Sequence, residues 1–341
     1  MQINDKSNYK AYSANDKRYD SMQYKRCGNS GVLLPRIAVG LWHNFGDFDN
    51  YNNAENILRT AFDNGITHFD LANNYGPPYG SAESNFGSIY RNNFQSHRDE
   101  LFLATKAGYD MWPGPYGNNG SRKYLISSLD QSLKRMQVDY VDLFYHHRPD
   151  DETPIEETAL ALYDIVRQGK ALYVGVSNYN ATQTEEMALL LKDLKVPFII
   201  HQAKHSMFER KIEANLLPML SKYQLGCIVF SPLAQGLLTN KYLKGIPKNS
   251  RAGKDKTYLT SENVQSKLEA INSLNTIALE REETLAEMAI GWLLNKKEIT
   301  TVLLGASSAE QLQNNLKSIN KKRFSEKNLL DIDKFTKKQY I

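Results

Sequence analysis

Short, continuously apolar runs alternate with amphipathic segments along almost the whole of this 341-residue chain, and that alternation limits its fold more than any other feature. The apolar runs fall at 37–40, 67–70, 101–106, 140–146, 171–176, 196–201, 227–230 and 300–304. Strands that are apolar without a break are buried on both faces, as in a parallel sheet covered by helices. The segments 54–64, 81–90, 121–136, 212–222, 261–280, 283–294 and 308–319 read as helices. Two more lie between 153 and 169 and between strands 171–176 and 196–201. Gly65 is a helix stop, Ser121 an N-cap, and Pro154 a first helical residue. Ahead of these, 22–27 and 32–35 flank Gly28-Asn29-Ser30-Gly31, a turn sequence that predicts a hairpin.

About eight βα units in a row fit a closed barrel or a doubly wound open sheet. The count and the length favour the barrel. No strand–turn–helix carries G-x-G-x-x-G, so the dinucleotide fingerprint of the open sheet is missing, and there is no P-loop. The expected fold is therefore a (β/α)8 TIM barrel with an N-terminal β-hairpin and extra helices. It forms one domain over 21–341 behind a polar tail at 1–20, and 248–258 reads as a mobile loop.

Composition narrows the function classes. Lys and Arg total 42 against 38 Asp and Glu, a formal charge of +4 that argues against a nucleic-acid footprint. Two cysteines, Cys27 and Cys227, make no disulfide framework and point to a reducing compartment. No apolar stretch approaches the ~20 residues of a membrane span, and the N-terminus lacks an apolar signal core. The expectation is a cytoplasmic protein with neither a membrane nor a nucleic acid as partner.

In a (β/α)8 barrel, chemistry sits at the C-terminal ends of the strands. Those ends here carry Asp70 with Tyr75 following, Lys106, His146-His147-Arg148, Ser177-Asn178-Tyr179, His201-Gln202, Phe230-Ser231 and Leu304-Gly305. A tyrosine is a weak acid with an ordinary pKa near 10. A neighbouring Lys cation favours its phenolate and is expected to lower that pKa, and a carboxylate keeps the Lys charged. Such a Tyr protonates a carbonyl oxygen, and a His beside it steadies the developing charge. Each residue alone is weak: among 20 Tyr, one before a Gly is more often a turn residue, and Asp70 alone reads equally as a cap. Adjacent strand residues point to opposite faces, so His146 and His147 do not chelate one metal ion. Periodicity does not say which of the two faces the mouth.

The motifs together resemble the aldo-keto reductase family. They are Phe69-Asp70-Leu71-Ala72-Asn73-Asn74-Tyr75-Gly76, Thr105-Lys106, Asp142-Leu143-Phe144-Tyr145-His146-His147, Gly175-Val176-Ser177-Asn178-Tyr179, Ser231-Pro232-Leu233 and Leu304-Gly305-Ala306-Ser307 with the helix after it. They occur in family order over 22–319. The resemblance implies NADPH (or NADP+) bound along the rim without a Rossmann fold, and a catalytic tetrad of Asp70, Tyr75, Lys106 and His147, with His146 turned elsewhere. It further implies that Ser177, Asn178 and Gln202 hold the nicotinamide carboxamide and that Phe230 stacks on its ring. Trp42 joins the cofactor contacts. Ser231, Leu233, Gly236, Lys241 and Arg251 follow the diphosphate and adenosine phosphate, and Gly305, Ser307, Gln311 and Asn315 the adenosine end. Lys241 and Arg251 favour NADPH over NADH, because a 2′-phosphate needs cationic partners.

Three further stretches are similar to a bacterial subgroup of that family, related to potassium-channel β subunits, that reduces L-glyceraldehyde 3-phosphate, methylglyoxal and other aldehydes. They are Trp42-His43-Asn44-Phe45-Gly46, the run 76–83 and the run 108–117. By this resemblance Trp42, Tyr75, Tyr109, Trp112 and His147 line the substrate pocket, and a homo-oligomer is implied. After Gln202 the chain reads Ala203-Lys204-His205-Ser206 where the subgroup usually has Pro-Ser-Tyr-Asn. The added Lys or His either aids a phosphorylated substrate or faces solvent. The alternative function is an NADP(H)-binding regulatory partner of a membrane channel with little catalysis. Channel subunits tend to carry Asn at the place of His147, which favours the enzyme. An unrelated barrel lyase or isomerase leaves the ordered motifs unexplained.

Overall fold

The computed structural model describes residues 12–248, 250–253 and 259–337. The remainder of the expected tail (1–11) and of the expected loop (249 and 254–258) lies outside the described residues. The chain opens with strands β1 (Tyr24–Arg26) and β2 (Leu33–Pro35), paired antiparallel as the turn sequence predicts. Then β3 (Ile37–Gly40), α1 (Tyr51–Asp63), β4 (His68–Asp70), α2 (Ser81–Asn93), β5 (Phe102–Ala107) and α3 (Arg122–Met136) follow. The middle of the chain forms β6 (Val141–His146), α4 (Ile155–Arg167), β7 (Ala171–Ser177), α5 (Ala181–Asp193), β8 (Phe198–Lys204), α6 (Leu216–Lys222) and β9 (Gly226–Phe230). The last part holds α7 (Ser261–Gln265), α8 (Leu268–Glu280), α9 (Leu285–Leu294), β10 (Thr301–Leu304), α10 (Ala309–Leu316) and α11 (Glu326–Thr336). Strands β3 to β10 close into one parallel barrel in sequence order, with β10 pairing β3. The expected (β/α)8 barrel with its N-terminal hairpin is what forms.

Side-chain alternation along the strands builds two separate apolar layers. Ala38, Ala104, Leu143, Tyr145, Ile200, Ile228 and Leu303 fill the barrel interior. Val39, Leu103, Phe144 and Val229, one position away on the same strands, join the larger layer between barrel and helices. The hairpin belongs to the inner layer through Cys27 and Leu34. It is tied to the N-terminal ends of the strands: Asn29 N donates to Gln224 O at 2.8 Å and Lys25 Nζ to Ile299 O at 2.9 Å. The hairpin is thus the floor of the barrel. Gly28 holds φ at +55° there, and a Cβ would lie 2.1 Å from Gln224 O, so only glycine lets this turn dock. Cys27 and Cys227 are free and buried, and burial pushes the Cys27 thiol up to about 12.

Gly175 makes room for the ring of Tyr145 inside the barrel. A Cβ on it would sit 2.6 Å from Tyr145 Cε1 and 2.9 Å from Ile200 O. Gly175→Ala is therefore expected to destabilise the fold by roughly 1–3 kcal/mol, the usual cost of overpacking. Urea unfolding measures it, and an unchanged midpoint would rule out this account of the glycine.

Several boundaries differ from expectation. Pro154 has φ −54° and ψ 134°, extended values, so it caps α4 and does not open its first turn. The strand expected at 196–201 is β8 instead, because Val196 N closes α5 on Leu191 O, and pairing with β9 continues to Lys204 opposite Phe230. The single helix expected at 261–280 breaks at Ser266 and Lys267 into α7 and α8. Helix 212–222 shortens to α6 behind a 3-10 turn at Lys211–Glu213. Beyond the helix expected to be last, Ser325 and Asn328 form a capping box that starts α11, which packs on α8. At the other end of the chain, residues 12–20 are held against the barrel. Tyr12 Oη donates to Asp63 at 2.8 Å, and Arg18 pairs with Glu100 at 2.6 Å.

Candidate active site

Lys106 stands at the centre of the barrel mouth, on β5, fully buried. An ammonium in such a place needs every N–H satisfied. Its Nζ lies 2.5 Å from Asp70 Oδ2, 2.6 Å from Leu71 O and 3.3 Å from Tyr75 Oη. Three acceptors thus take its three donors. Burial pulls the Lys106 pKa down, but Asp70 and then Tyr75 outweigh it, and the net shift is upward, so the cation persists. The other Asp70 oxygen receives Gln202 Nε2 at 3.2 Å. Strands β4, β5 and β8 therefore meet in one network through residues that sequence reading placed at separate strand ends.

Tyr75 follows β4 in the loop that turns through Gly76, Pro77 and Pro78 before α2. A Cβ on Gly76 would lie 2.0 Å from Pro78 O and 2.7 Å from Ser81 Oγ, so this turn closes tightly behind the tyrosine. Burial raises the Tyr75 pKa, and Lys106 opposes it; the net shift is upward. This corrects the expectation of a lowered pKa: desolvation of the phenolate exceeds the attraction of Lys106. The hydroxyl therefore stays protonated through neutral pH. The His147 ring stands edge-on to Tyr75, centroids 6.0 Å apart. Burial, then Lys106, holds His147 well below the ordinary histidine range, so the imidazole is neutral. Its Nδ1 is buried without a partner among the described residues. His146 faces away from the mouth, with Nδ1 2.6 Å from Tyr179 Oη. The mouth thus holds a protonated phenol and a neutral imidazole side by side, both able to donate to one oxygen.

Aromatic rings wall this centre. Trp42 lies 6.3 Å from Tyr75 and stacks on His43 at 4.4 Å. Tyr109 meets His147 edge-to-face at 4.7 Å. Trp112 is placed differently from these: its ring tilts on Tyr124 at 5.1 Å. The Tyr124 hydroxyl contacts Tyr109 O at 2.5 Å and receives Asn73 Nδ2 at 2.9 Å, linking the loop after β5 to the loop after β4. Sequence reading missed Asn73 and Tyr124 as supports. It also missed Glu83, a buried carboxylate that receives Thr105 Oγ1 at 2.5 Å and Arg135 Nε at 2.7 Å, locking β5 to α2 and α3. Glu83 lies within the run 76–83, so its motif was visible and its role was not.

The residues expected to hold the dinucleotide line the rest of the rim. Asn178 has φ +61°, and its Nδ2 donates to His147 O at 3.0 Å. Ser177 and Gln202 are buried beside it. Phe230 ends β9 half-exposed, and positive φ at Ser231, Ala234, Gln235 and Gly236 curls the following loop. Such successive turns present backbone N–H groups to an anion. Lys241 is exposed in a 3-10 turn of this loop. Burial, and after it the charge of Arg251, lowers the His43 pKa, so Arg251 lies within electrostatic reach of the loop after β3. Gly305 is exposed, and a Cβ on it would meet nothing within 4 Å. Ser307 N and Oγ bond Gln311 Oε1 at 2.8 and 2.9 Å, while Asn315 Nδ2 is buried with no partner among the described residues. An orphaned amide, an open glycine and a curled loop along one rim fit an extended dinucleotide.

The departure after Gln202 does not bring a histidine to the mouth. His205 is buried against Trp292 at 5.4 Å, with Nδ1 2.8 Å from Glu209 O. Its side chain is closed off from solvent. Lys204 is exposed, 3.9 Å from Glu209.

A parallel eight-stranded barrel with Asp70, Lys106, Tyr75 and His147 gathered at its C-terminal mouth is the architecture of one oxidoreductase class. Residues 36–337 match the model of the Aldo/keto reductase family, and the chain belongs to that family. It is 53% identical over 325 residues, 94% of either chain, to L-glyceraldehyde 3-phosphate reductase of Escherichia coli (strain K12). It is also 37% identical over 306 residues to a probable voltage-gated potassium channel subunit beta of Arabidopsis thaliana, covering 87% of this chain and 91% of that one. The corresponding protein of Oryza sativa subsp. japonica is 36% identical over the same shares. The chain is thus an oxidoreductase of the aldo-keto class. Among the described residues no helix is long and apolar enough to cross a membrane.

Proposed function

We propose that this protein reduces short aldehydes to alcohols with NADPH, L-glyceraldehyde 3-phosphate and methylglyoxal among them. The observation that carries the reading is the Lys106 ammonium, whose three donors go to Asp70, Leu71 O and Tyr75 Oη. The 53% identity to a reductase named for L-glyceraldehyde 3-phosphate supports the substrate. Ser177, Asn178, Gln202, Phe230 and Trp42 would hold the nicotinamide end, and the loop from Ser231 through Leu233, Gly236, Lys241 and Arg251 the phosphates. Gly305, Ser307, Gln311 and Asn315 would hold the adenosine. The cofactor, when bound, supplies the hydride that reduces the carbonyl carbon. Tyr75 gives its hydroxyl proton to the carbonyl oxygen as negative charge grows there. Lys106 stabilises the phenolate left behind, Asp70 keeps Lys106 charged and in place, and His147 donates to the same oxygen and orients it.

The acid and base forms required set the pH profile. Reduction needs Tyr75 protonated and His147 neutral. Tyr75 loses its proton only above its ordinary 10.0, and His147 gains one only well below 6.5. The kcat of reduction is therefore expected to stay level from about pH 6 to about pH 9. A fall through pH 7–8 would show a lowered tyrosine pKa and overturn this account.

The direct test follows NADPH absorbance with purified protein and L-glyceraldehyde 3-phosphate, methylglyoxal and an aromatic aldehyde. Consumption with the phosphorylated triose supports the proposal, and the rank order sets the substrate. Tight NADPH binding with no consumption for any aldehyde would replace it with the cofactor-binding channel partner.

A further inference from the structure

Most partly buried arginines of this chain meet a carboxylate. Arg18 reaches Glu100 at 2.6 Å, Arg98 Asp142 at 2.9 Å, Arg135 Glu83 at 2.7 Å and Arg281 Glu283 at 2.9 Å. Arg148, half-buried and next in sequence to His147, meets none among the described residues. Its Nε donates to Gly108 O at 3.0 Å and its Nη2 to Asn118 Oδ1 at 3.1 Å. Its guanidinium lies 4.4 Å over the Tyr109 ring, the same ring that meets His147 edge-on. Nη1 has no partner among the described residues. These partners are all neutral and no carboxylate among the described residues comes within ion-pair distance, so the cation is held in position by neutral groups.

A brace for the loop after β5 requires the two hydrogen bonds, which a neutral amide also makes. It does not require a full charge held half out of water without a counterion, which is costly. Among the other cations near the mouth, Lys106 is spent on Asp70, Lys204 lies towards Glu209, and Lys241 and Arg251 belong to the loop after β9 proposed to hold the cofactor phosphates. Arg148 is also beside the right place. The Gly108 backbone packs on it: a Cβ at Gly108 would lie 3.0 Å from His147 Cβ and 3.1 Å from Arg148 N. The guanidinium is thereby held to the His147 and Tyr109 side of the mouth.

We propose that Arg148 receives the phosphate of a short phosphorylated aldehyde whose carbonyl oxygen lies between Tyr75 and His147. This rests on the aldehyde-reductase reading and adds the group that selects phosphorylated substrates. A planar guanidinium with a free N–H edge suits a phosphate dianion in charge and in geometry. The aromatic face of Tyr109 keeps it from turning away.

The test is a specificity ratio. For wild type and Arg148→Gln, kcat/KM is measured with glyceraldehyde 3-phosphate and with methylglyoxal, which has no phosphate. The ratio of the two is expected to fall by roughly 10- to 100-fold in Arg148→Gln, through KM of the phosphorylated substrate, and to recover partly in Arg148→Lys. Equal losses with both substrates would make Arg148 a loop brace, and an unchanged ratio would likewise overturn the proposal. A second measurement needs no turnover: glycerol 3-phosphate is titrated calorimetrically into protein holding oxidised cofactor. Binding that weakens by a similar factor in Arg148→Gln supports the phosphate site even if no aldehyde is reduced, in which case the reductase reading fails alone. Active reduction of methylglyoxal with no Arg148-dependent binding of glycerol 3-phosphate sinks the phosphate site alone.

Discussion

Turnover by the Tyr75→Phe protein is expected to fall by roughly 10²- to 10⁴-fold, with cofactor affinity nearly unchanged. Phenylalanine keeps the ring that faces Trp42 and His147 and removes only the hydroxyl that Lys106 approaches at 3.3 Å. The loss should appear in kcat and kcat/KM together, because the missing interaction belongs to proton transfer and not to ground-state binding. Steady-state kinetics with methylglyoxal, and fluorescence titration of the cofactor, separate the two effects. A variant that turns over at the wild-type rate would remove Tyr75 from the reaction.

Lys106→Met should cost stability as well as activity. Methionine has a similar length but leaves the Asp70 carboxylate buried with Gln202 as its remaining side-chain partner. Breaking a buried pair by removing one member typically costs about 3–5 kcal/mol. In a domain this large that lowers Tm by on the order of 10 °C. Adding Asp70→Asn to Lys106→Met removes the stranded charge and should restore most of the Tm while leaving the enzyme inactive. That pattern separates the structural duty of the pair from its chemical one. Equal Tm values for wild type and Lys106→Met would mean that the carboxylate had found a proton or another partner.

The order of strands and the strand ends that carry the candidate site residues were legible because both follow local rules, while the choice among those residues came from the family resemblance. Ser121 accepts from Tyr124 N as an N-cap does, and the Gly/Asn turn at 28–31 does join a hairpin. What sequence did not show depends on distance. Nothing local marks Ser266 and Lys267 as a break between two helices. The alternation at Ala203-Lys204-His205 does not say that His205 has Trp292 beside it. The direction of the Tyr75 pKa turns on a balance between burial and one cation, and a sequence names the cation without the burial. Arg148 stands just past the end of β6, yet its interest lies in the carboxylate partner it lacks among the described residues, which only the fold reveals.

The hairpin floor has a kinetic consequence. Cys27 and Leu34 plug the barrel from below, and Ala38, Leu143, Ile200 and Ile228 fill it above them, so no passage runs through its axis. Every reactant must then enter and depart by one doorway. Two molecules sharing a single doorway cannot exchange independently: whichever seats deeper has to arrive first and leave last. If cofactor and aldehyde share that doorway as proposed, binding and release are expected to follow an order set from the sealed end of the barrel, far from any residue that touches the reacting atoms.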